Sequence, residues 1–249
     1  VGDLLTDKRV LLTGGSRGLG RALACAVAAE GARVCFTYRK NQDAAAETLA
    51  AVQALGRAEA RAEQVSVLDT SATTALIKSL ESEWGGLDVL VNNAGITQNL
   101  PLALLEEEDW DRVMDTNVKG TFLTTRAVLR GMIRRKQGGT VLCIGSLAGV
   151  RTLDAPIHYC ASKAALVGFT RALSKEVARY RIRVNCLAPG LLEGGIGVKL
   201  PDHRLADYLK HCSLGRLGEF SEVARLAAFM VSERCSYLSG ETIVMDGGL

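Results

Sequence analysis

Val10-Leu11-Leu12-Thr13-Gly14-Gly15-Ser16-Arg17-Gly18-Leu19-Gly20 decides the fold: a short apolar run passes through a glycine-rich turn into an amphipathic segment. The apolar run reads as a buried strand. Leu19, Leu23 and Val27 then recur at every fourth residue, the spacing of one helix face. A helix is predicted over Gly18 to Glu30, with Gly31 as its stop. Glycine allows the tight turn and a close approach of backbone to phosphate, and the helix N-terminus attracts an anion. The spacing, G-x3-G-x-G, differs from the common G-x-G-x-x-G dinucleotide fingerprint. A turn in which glycine serves packing alone is the competing reading.

Outward from this unit the pattern repeats. Val34-Cys35-Phe36-Thr37, Ala62 to Val67, Val89-Leu90-Val91, Val141-Leu142-Cys143-Ile144, Arg183-Val184-Asn185-Cys186 and Thr242 to Met245 read as further strands. Helices are predicted over Asp43 to Leu55 (closed by Gly56), Ser71 to Trp84, Glu106 to Ile133 (eased at Gly120), Ile157 to Arg179 and Ser221 to Val231. Strands alternating with helices pair in parallel through right-handed crossovers. Near-continuous apolar strands fit a sheet covered on both faces. The expected fold class is α/β, a Rossmann-type doubly wound sheet of seven parallel strands with helices on both faces. Ligands then belong outside the strand carboxyl ends. No linker, repeat or low-complexity block breaks residues 1–249, which read as a single dinucleotide-binding domain. Leu191 to Cys212 lacks clear periodicity and is long for a plain connection, so 191–212 is expected to form a lid or substrate loop.

Composition narrows the classes. The 249 residues are 48% hydrophobic and 23% charged, which suits a globular chain with a sizeable core. A net charge of +3 predicts no nucleic-acid partner. Seven scattered cysteines, odd in number and without a C-x2-C pair, read as reduced core residues of a cytoplasmic protein, an organelle matrix being the alternative. The three histidines have no ligand spacing with a cysteine, so no metal site is expected. The longest uncharged stretch, Val89 to Leu105, contains three asparagines and Pro101 and is no membrane span.

Chemistry enters with Ser146, Tyr159 and Lys163, spaced Ser-x12-Tyr-x3-Lys. Residues four apart share a helix face, so the Lys163 ammonium can stand beside the Tyr159 phenol. A free phenol has a pKa of about 10, and a neighbouring cation favours its ionised form. A serine hydroxyl from a strand end could hold the substrate oxygen, giving a proton-transfer site for a carbonyl/alcohol pair. At the end of the second strand, where an acid would hold an NAD ribose, stand Tyr38, Arg39 and Lys40. Arg39 can grip a 2′-phosphate and Arg17 can add a second cation, so NADP(H) is expected; a merely solvated loop is the alternative. Asn92-Asn93-Ala94-Gly95 follows the fourth strand and Pro189-Gly190 the sixth, each fit to line a groove or simply to make a turn. Asn117 inside a helical pattern reads, taken alone, as part of a solvated face.

Taken together, Thr13 to Gly20, Asn92 to Gly95, Asn117, Ser146, Tyr159-Cys-Ala-Ser-Lys163, Pro189-Gly190 and Asp246-Gly-Gly248 stand in one order along the chain. The sequence resembles the short-chain dehydrogenase/reductase family over essentially its whole length, and most of all its 3-oxoacyl-[acyl-carrier-protein] reductase branch. The resemblance implies that Tyr159 donates the proton and Ser146 binds the carbonyl. It implies that Lys163 binds the nicotinamide ribose and that Asn117 anchors a relay water. Gly14, Ser16, Arg17, Gly18 and Leu19 would cradle the phosphate and ribose side of the cofactor. Asn92, Ala94 and Gly95 would flank its ribose, and Leu192, after Pro189 and Gly190, would meet the nicotinamide. Ser66-Val67 stands where the family usually has Asp-Val against the adenine. Glu193-Gly194-Gly195-Ile196 stands where the branch commonly has Glu-Thr-Asp-Met, a change expected to make the loop more permissive.

The resemblance further implies a homotetramer packed through the two long helices. An acidic acyl carrier protein would find basic clusters at Arg130, Arg134, Arg135 and Lys136 and at Arg179, Arg181 and Arg183; solvated helix ends are the alternative. Three functions follow: an NADPH-dependent 3-oxoacyl thioester reductase, a reductase or dehydrogenase of free ketones, sugars or other alcohols, and a noncatalytic dinucleotide sensor.

Overall fold

A computed structural model describes residues 3–55, 59–194 and 202–249. Seven strands form one sheet: β1 (Arg9–Leu12), β2 (Arg33–Tyr38), β3 (Ala60–Gln64), β4 (Val89–Asn92), β5 (Gly139–Ile144), β6 (Ile182–Pro189) and β7 (Thr242–Met245). Their order is β3-β2-β1-β4-β5-β6-β7, and every neighbouring pair is parallel. The order reverses between β1 and β4, so a crevice opens there at the carboxyl ends.

The helices are α1 (Gly18–Ala29), α2 (Gln42–Gln53), α3 (Thr70–Trp84), α4 (Glu107–Met114), α5 (Gly120–Arg135), α6 (Ile157–Val177), α7 (Asp202–His211) and α8 (Phe220–Val231). Two apolar cores cover the two faces of the sheet. Leu23 and Val27 of α1, Val52 of α2 and Val223 and Val231 of α8 pack on one face against Val10, Leu12, Val34 and Phe36. Leu80 and Trp84 of α3, Val128 and Met132 of α5 and Leu173 and Val177 of α6 pack on the other, against Leu11, Leu90, Val141 and Val184. Alternate residues of β1, β2, β4 and β5 thus serve opposite layers, which is why those strands are largely apolar, whereas β3 at the sheet edge carries Arg61, Glu63 and Gln64.

Three expectations change. The third strand ends at Gln64 and not at Val67, because the Ser66 hydroxyl accepts from the Leu68 amide and the Ser66 carbonyl from the Asp69 amide, forming a turn. The region from Glu106 to Ile133 is helical without interruption from Glu107, and it is eased just before Gly120 and not at it. A π-turn at Asp115–Lys119 joins α4 to α5. The stretch called aperiodic contains α7, in which Leu205 and Tyr208 fall at i and i+3 and turn inward, with the buried Cys212 at i+7 just past its end. Gly56, expected to stop the second helix, lies outside the described residues, as do Gly195 and Ile196. All seven cysteines are free, five of them buried.

Candidate active site

The turn after β1 is built on Thr13. Its hydroxyl accepts the amides of Asn93 and Ala94, each at 3.0 Å, stapling the end of β1 to the end of β4. The Asn93 side chain returns the contact, donating to the carbonyls of Thr13 and Gly14 at 3.1 and 2.9 Å. Gly14 has φ +69°, and a Cβ there would stand 2.9 Å from the Cα of Ala94, so glycine is required on two counts. Neither Thr13 nor Asn93 is singled out by the sequence reading, although both sit in quoted motifs. A hydroxyl at a strand end facing an amide pair is the signal that would have found them.

α1 starts directly after this turn. Its N-cap, Arg17, makes no side-chain cap and its first turn holds no acidic residue, so its N–H groups face the crevice uncompensated. The Arg17, Arg39 and Lys40 side chains are exposed, with no protein partner among the described residues. Ser16 offers its carbonyl to Thr48, and Leu19 is half-buried at the rim. A helix N-terminus with three unpaired cations fits the diphosphate and phosphate groups of a dinucleotide.

Across the crevice, Ser66 and Val67 lie in the turn after β3, and Val67 packs against Gly120, where a Cβ would meet its Cγ2 at 2.5 Å. Asn92 closes β4, buried, and donates to Thr125 Oγ1 at 2.8 Å. Gly95 faces Asn117 and Lys163: a Cβ on it would stand 3.3 Å from Asn117 Oδ1 and 3.6 Å from Lys163 Nζ.

Asn117 is not on a solvated face. It is 1% exposed, turned inward by the wide π-turn. Its Oδ1 accepts the Ile96 amide at 2.8 Å, and its Nδ2 donates to the Ile96 carbonyl at 3.0 Å and to Ser162 Oγ at 2.9 Å. Ser162 passes the link on to the Tyr159 carbonyl at 2.8 Å. Both the oxygen and the nitrogen of the Asn117 side chain are therefore engaged. The backbone carbonyl of Asn117 accepts the Thr121 hydroxyl at 2.8 Å.

Lys163 is 5% exposed, and its Nζ donates to the Ile144 carbonyl at 2.8 Å, at the carboxyl end of β5. Ammonium carries three donors, so the others are left for the crevice. The same nitrogen stands 5.6 Å from the Tyr159 ring centroid, as the shared helix face requires. Ser146 is two residues past Ile144. Its oxygen accepts the Ala148 amide at 3.2 Å, which leaves the hydroxyl proton free to donate outward. Tyr159 is half-buried, and its phenol oxygen has no hydrogen-bond partner among the described residues. Ser146, Tyr159, Lys163 and Asn117 thus converge at the ends of β4 and β5.

The comparisons agree over the same span. The model of the enoyl-(acyl carrier protein) reductase family matches residues 14–249. The chain is 36% identical over 242 residues to the 3-oxoacyl-[acyl-carrier-protein] reductase FabG of Escherichia coli, covering 97% of each. The corresponding Staphylococcus aureus FabG is 35% identical, with 97% of this chain and 98% of that one covered. The chain belongs to the short-chain dehydrogenase/reductase family. Among solved structures, a 3-oxoacyl-[acyl-carrier protein] reductase from Brucella melitensis superposes with a TM-score of 0.92 at 32% identity, covering 100% of this chain and 93% of that one. A short-chain dehydrogenase/reductase from Serratia marcescens gives 0.90 at 30% identity, with 98% of each covered. As a short-chain dehydrogenase/reductase the protein is an oxidoreductase of the ketoreductase class, working with a nicotinamide dinucleotide.

Of the loop after β6, for which a permissive backbone is expected, the residues up to Gly194 are described. Pro189 ends β6, and the Gly190 amide donates to Met245. Leu192 bridges to Gly218, whose amide donates to the Leu191 carbonyl at 3.0 Å and whose carbonyl accepts from Glu193 at 2.9 Å. Gly194 has φ +95°, and a Cβ there would stand 3.1 Å from the Phe220 ring. The backbone is clamped, and glycine at 194 is what the clamp and the ring require.

The basic clusters are also largely committed. Arg135 donates to the Leu87 carbonyl and stands 3.6 Å from Asp88, and Arg134 pairs with Glu81 at 2.8 Å. Arg181 donates to the Lys136 carbonyl, and Arg183 donates to the carbonyls of Met230 and Ser232 and to Thr140. Arg130, Lys136 and Arg179 remain exposed. Among the described residues no helix is long and apolar enough to cross a membrane, and no cluster of metal-ligating side chains occurs.

Proposed function

We propose that the protein reduces the ketone of a 3-oxoacyl thioester, carried on an acyl carrier protein, to the 3-hydroxyacyl thioester at the expense of NADPH. The observation that carries this reading is the Lys163 ammonium, 5.6 Å from the Tyr159 ring, gripping the strand end from which Ser146 projects. Bound NADPH supplies a hydride to the carbonyl carbon. Ser146 donates its free proton in a hydrogen bond to the carbonyl oxygen, and Tyr159 transfers its phenolic proton to that oxygen as negative charge develops there. Lys163 holds the cofactor ribose with its remaining donors and stabilises the tyrosinate left behind. A water on the Asn117 carbonyl returns a proton along the Lys163 side.

Gly14, Ser16, Arg17, Gly18 and Leu19 would hold the phosphates and ribose. Ser66 and Val67 would border the adenine, Asn92, Ala94 and Gly95 the adjoining ribose, and Pro189, Gly190 and Leu192 the nicotinamide. The choice of NADPH over NADH rests on the unpaired Arg39, seconded by Arg17. Residues 1–249 act as one domain, with 191–212 shaping the substrate end. The proposed location is the cytoplasm.

The carrier reading takes its support from the relatives named as acyl-carrier-protein reductases and from the exposed Arg130, Lys136 and Arg179. Arg179 lies sixteen residues beyond Lys163, about 24 Å along the helix, so a carrier bound there serves another copy of the chain. A homotetramer joined through α5 and α6 provides that copy, and the exposed Phe122, stacked under Arg126 on α5, supplies apolar area for it.

The deciding experiment follows NADPH absorbance with a 3-oxoacyl thioester, free and carrier-bound, beside a panel of ketones. Turnover of thioesters, enhanced by the carrier and weakened by Arg130→Glu with Arg179→Glu, supports the reading. Turnover limited to free ketones moves the protein to the general ketoreductases. Binding of cofactor with no turnover on the whole panel overturns catalysis and leaves a sensor.

A further inference from the structure

Tyr208 of α7 reaches back to the end of β6. Its phenol oxygen accepts the Leu191 amide at 3.0 Å and donates to the Asp246 carbonyl at 3.5 Å. Gly190 makes the room: a Cβ there would stand 2.5 Å from the phenol oxygen. Burial pushes the Tyr208 phenol above its ordinary pKa, so the group stays neutral and can accept and donate together. The far end of α7 is fastened separately. The Cys212 thiol donates to the Gly247 carbonyl at 3.4 Å, and the Leu214 amide to the same carbonyl at 3.0 Å. The phenol is thus a fixed post.

Its partner is the segment where the family's threonine is absent. Glu193 is followed by Gly194, so no side chain at that position can hold a cofactor amide. The backbone of Leu191 to Glu193 is held by Gly218 on one side and by Tyr208 on the other. We propose that Tyr208 is a positioning residue for the nicotinamide end of the crevice: by fixing the Leu191 amide it sets the Leu191–Glu193 backbone against which the cofactor ring rests. The inference rests on the cofactor reading given under Proposed function. Without the phenol oxygen, the Leu191 amide loses its acceptor and the segment is tied by Gly218 alone.

The test is Tyr208→Phe, which keeps the ring and removes only the oxygen. Amide exchange in a 190–194 peptide is measured by mass spectrometry, and the Kd for NADPH by its fluorescence. The expected result is exchange at least tenfold faster and a Kd at least fivefold higher, with kcat at saturating NADPH within threefold of wild type. Arg204→Ala is the control. It releases α7 from Asp154, 3.1 Å away, without touching the phenol, and should leave the Kd within twofold. A Kd unchanged in Tyr208→Phe overturns the inference, whatever the exchange shows. An equal rise in Arg204→Ala also overturns it, since general docking of α7 would then be the cause. If the wild-type chain binds neither NADPH nor NADH, the cofactor reading falls and this inference with it. Equal binding by wild type and Tyr208→Phe sinks the inference alone.

Discussion

The Asn117 amide nitrogen lies 2.9 Å from the Ser162 hydroxyl, tying the π-turn between α4 and α5 to the helix that carries Tyr159 and Lys163. Ser162 has no exposure and bonds the Tyr159 carbonyl in turn. The link is part of the frame of the site.

Asn117→Ala leaves the Ile96 amide and carbonyl without their partner in a buried place. An unsatisfied buried group costs about 1–3 kcal/mol, and about 1 kcal/mol lowers Tm by roughly 2–4 °C in a chain of this size. A Tm at least several degrees lower is expected by calorimetry, together with loss of most turnover. Ser162→Ala removes one link and should do less of both.

Tyr159→Phe keeps the ring beside Lys163 and removes the transferable proton. General acid catalysis contributes roughly 10²–10⁴-fold, so kcat should fall by that order. NADPH affinity, by fluorescence titration, should stay within a few-fold of wild type. Retained turnover would show that another group supplies the proton.

Arg39→Asp puts a carboxylate where a 2′-phosphate is expected. A hydrogen bond to a charged group is worth about 1.5–3 kcal/mol, so the kcat/KM ratio for NADPH over NADH should drop by at least tenfold and favour NADH. An unaltered ratio would place the phosphate elsewhere.

Gly194→Thr restores the residue type common in the branch, yet it should harm this chain. The φ of +95° is left-handed, and the new Cβ would press on Phe220 at 3.1 Å. Strain of this kind costs on the order of 1–3 kcal/mol. A lower Tm is expected, relieved in part by adding Phe220→Ala.

Asp88 responds to acid. Burial alone would raise its pKa, but hydrogen bonds from the Arg9 guanidinium and amide prevail and hold it below the ordinary carboxylate range. A carboxyl whose pKa is depressed by folding stabilises the native state above its unfolded value, about 3.9, and that contribution fades as pH falls through the lower folded value. Tm measured from pH 6 to pH 3 should therefore decline more steeply at the acid end for wild type than for Asp88→Asn.

Much of the architecture was legible in residue order alone. Val10 to Gly20 announces a strand, a turn and a helix by local rules, and the same alternation along the chain dictates a parallel sheet. The contents of the Ser146, Tyr159 and Lys163 group were legible too, because Tyr159 and Lys163 share one helix and their spacing fixes their relation. The ends of β3 and the π-turn at Asp115–Lys119 were not, since a turn bond at Ser66 and a wide helical turn at Asn117 override local periodicity.

By itself the sequence determined the α/β class, the glycine-rich turn after β1 and the side chains offered for proton transfer, since strand period, helix period and glycine freedom all act over a few neighbours. Only the tertiary structure decided that Asn117 faces inward to Ser162, that Arg135 and Arg183 are committed inside the protein, and that Tyr208 reaches the Leu191 amide. Each of these joins residues distant in the chain, and no local energy term encodes which donor will meet which acceptor until the layers have packed.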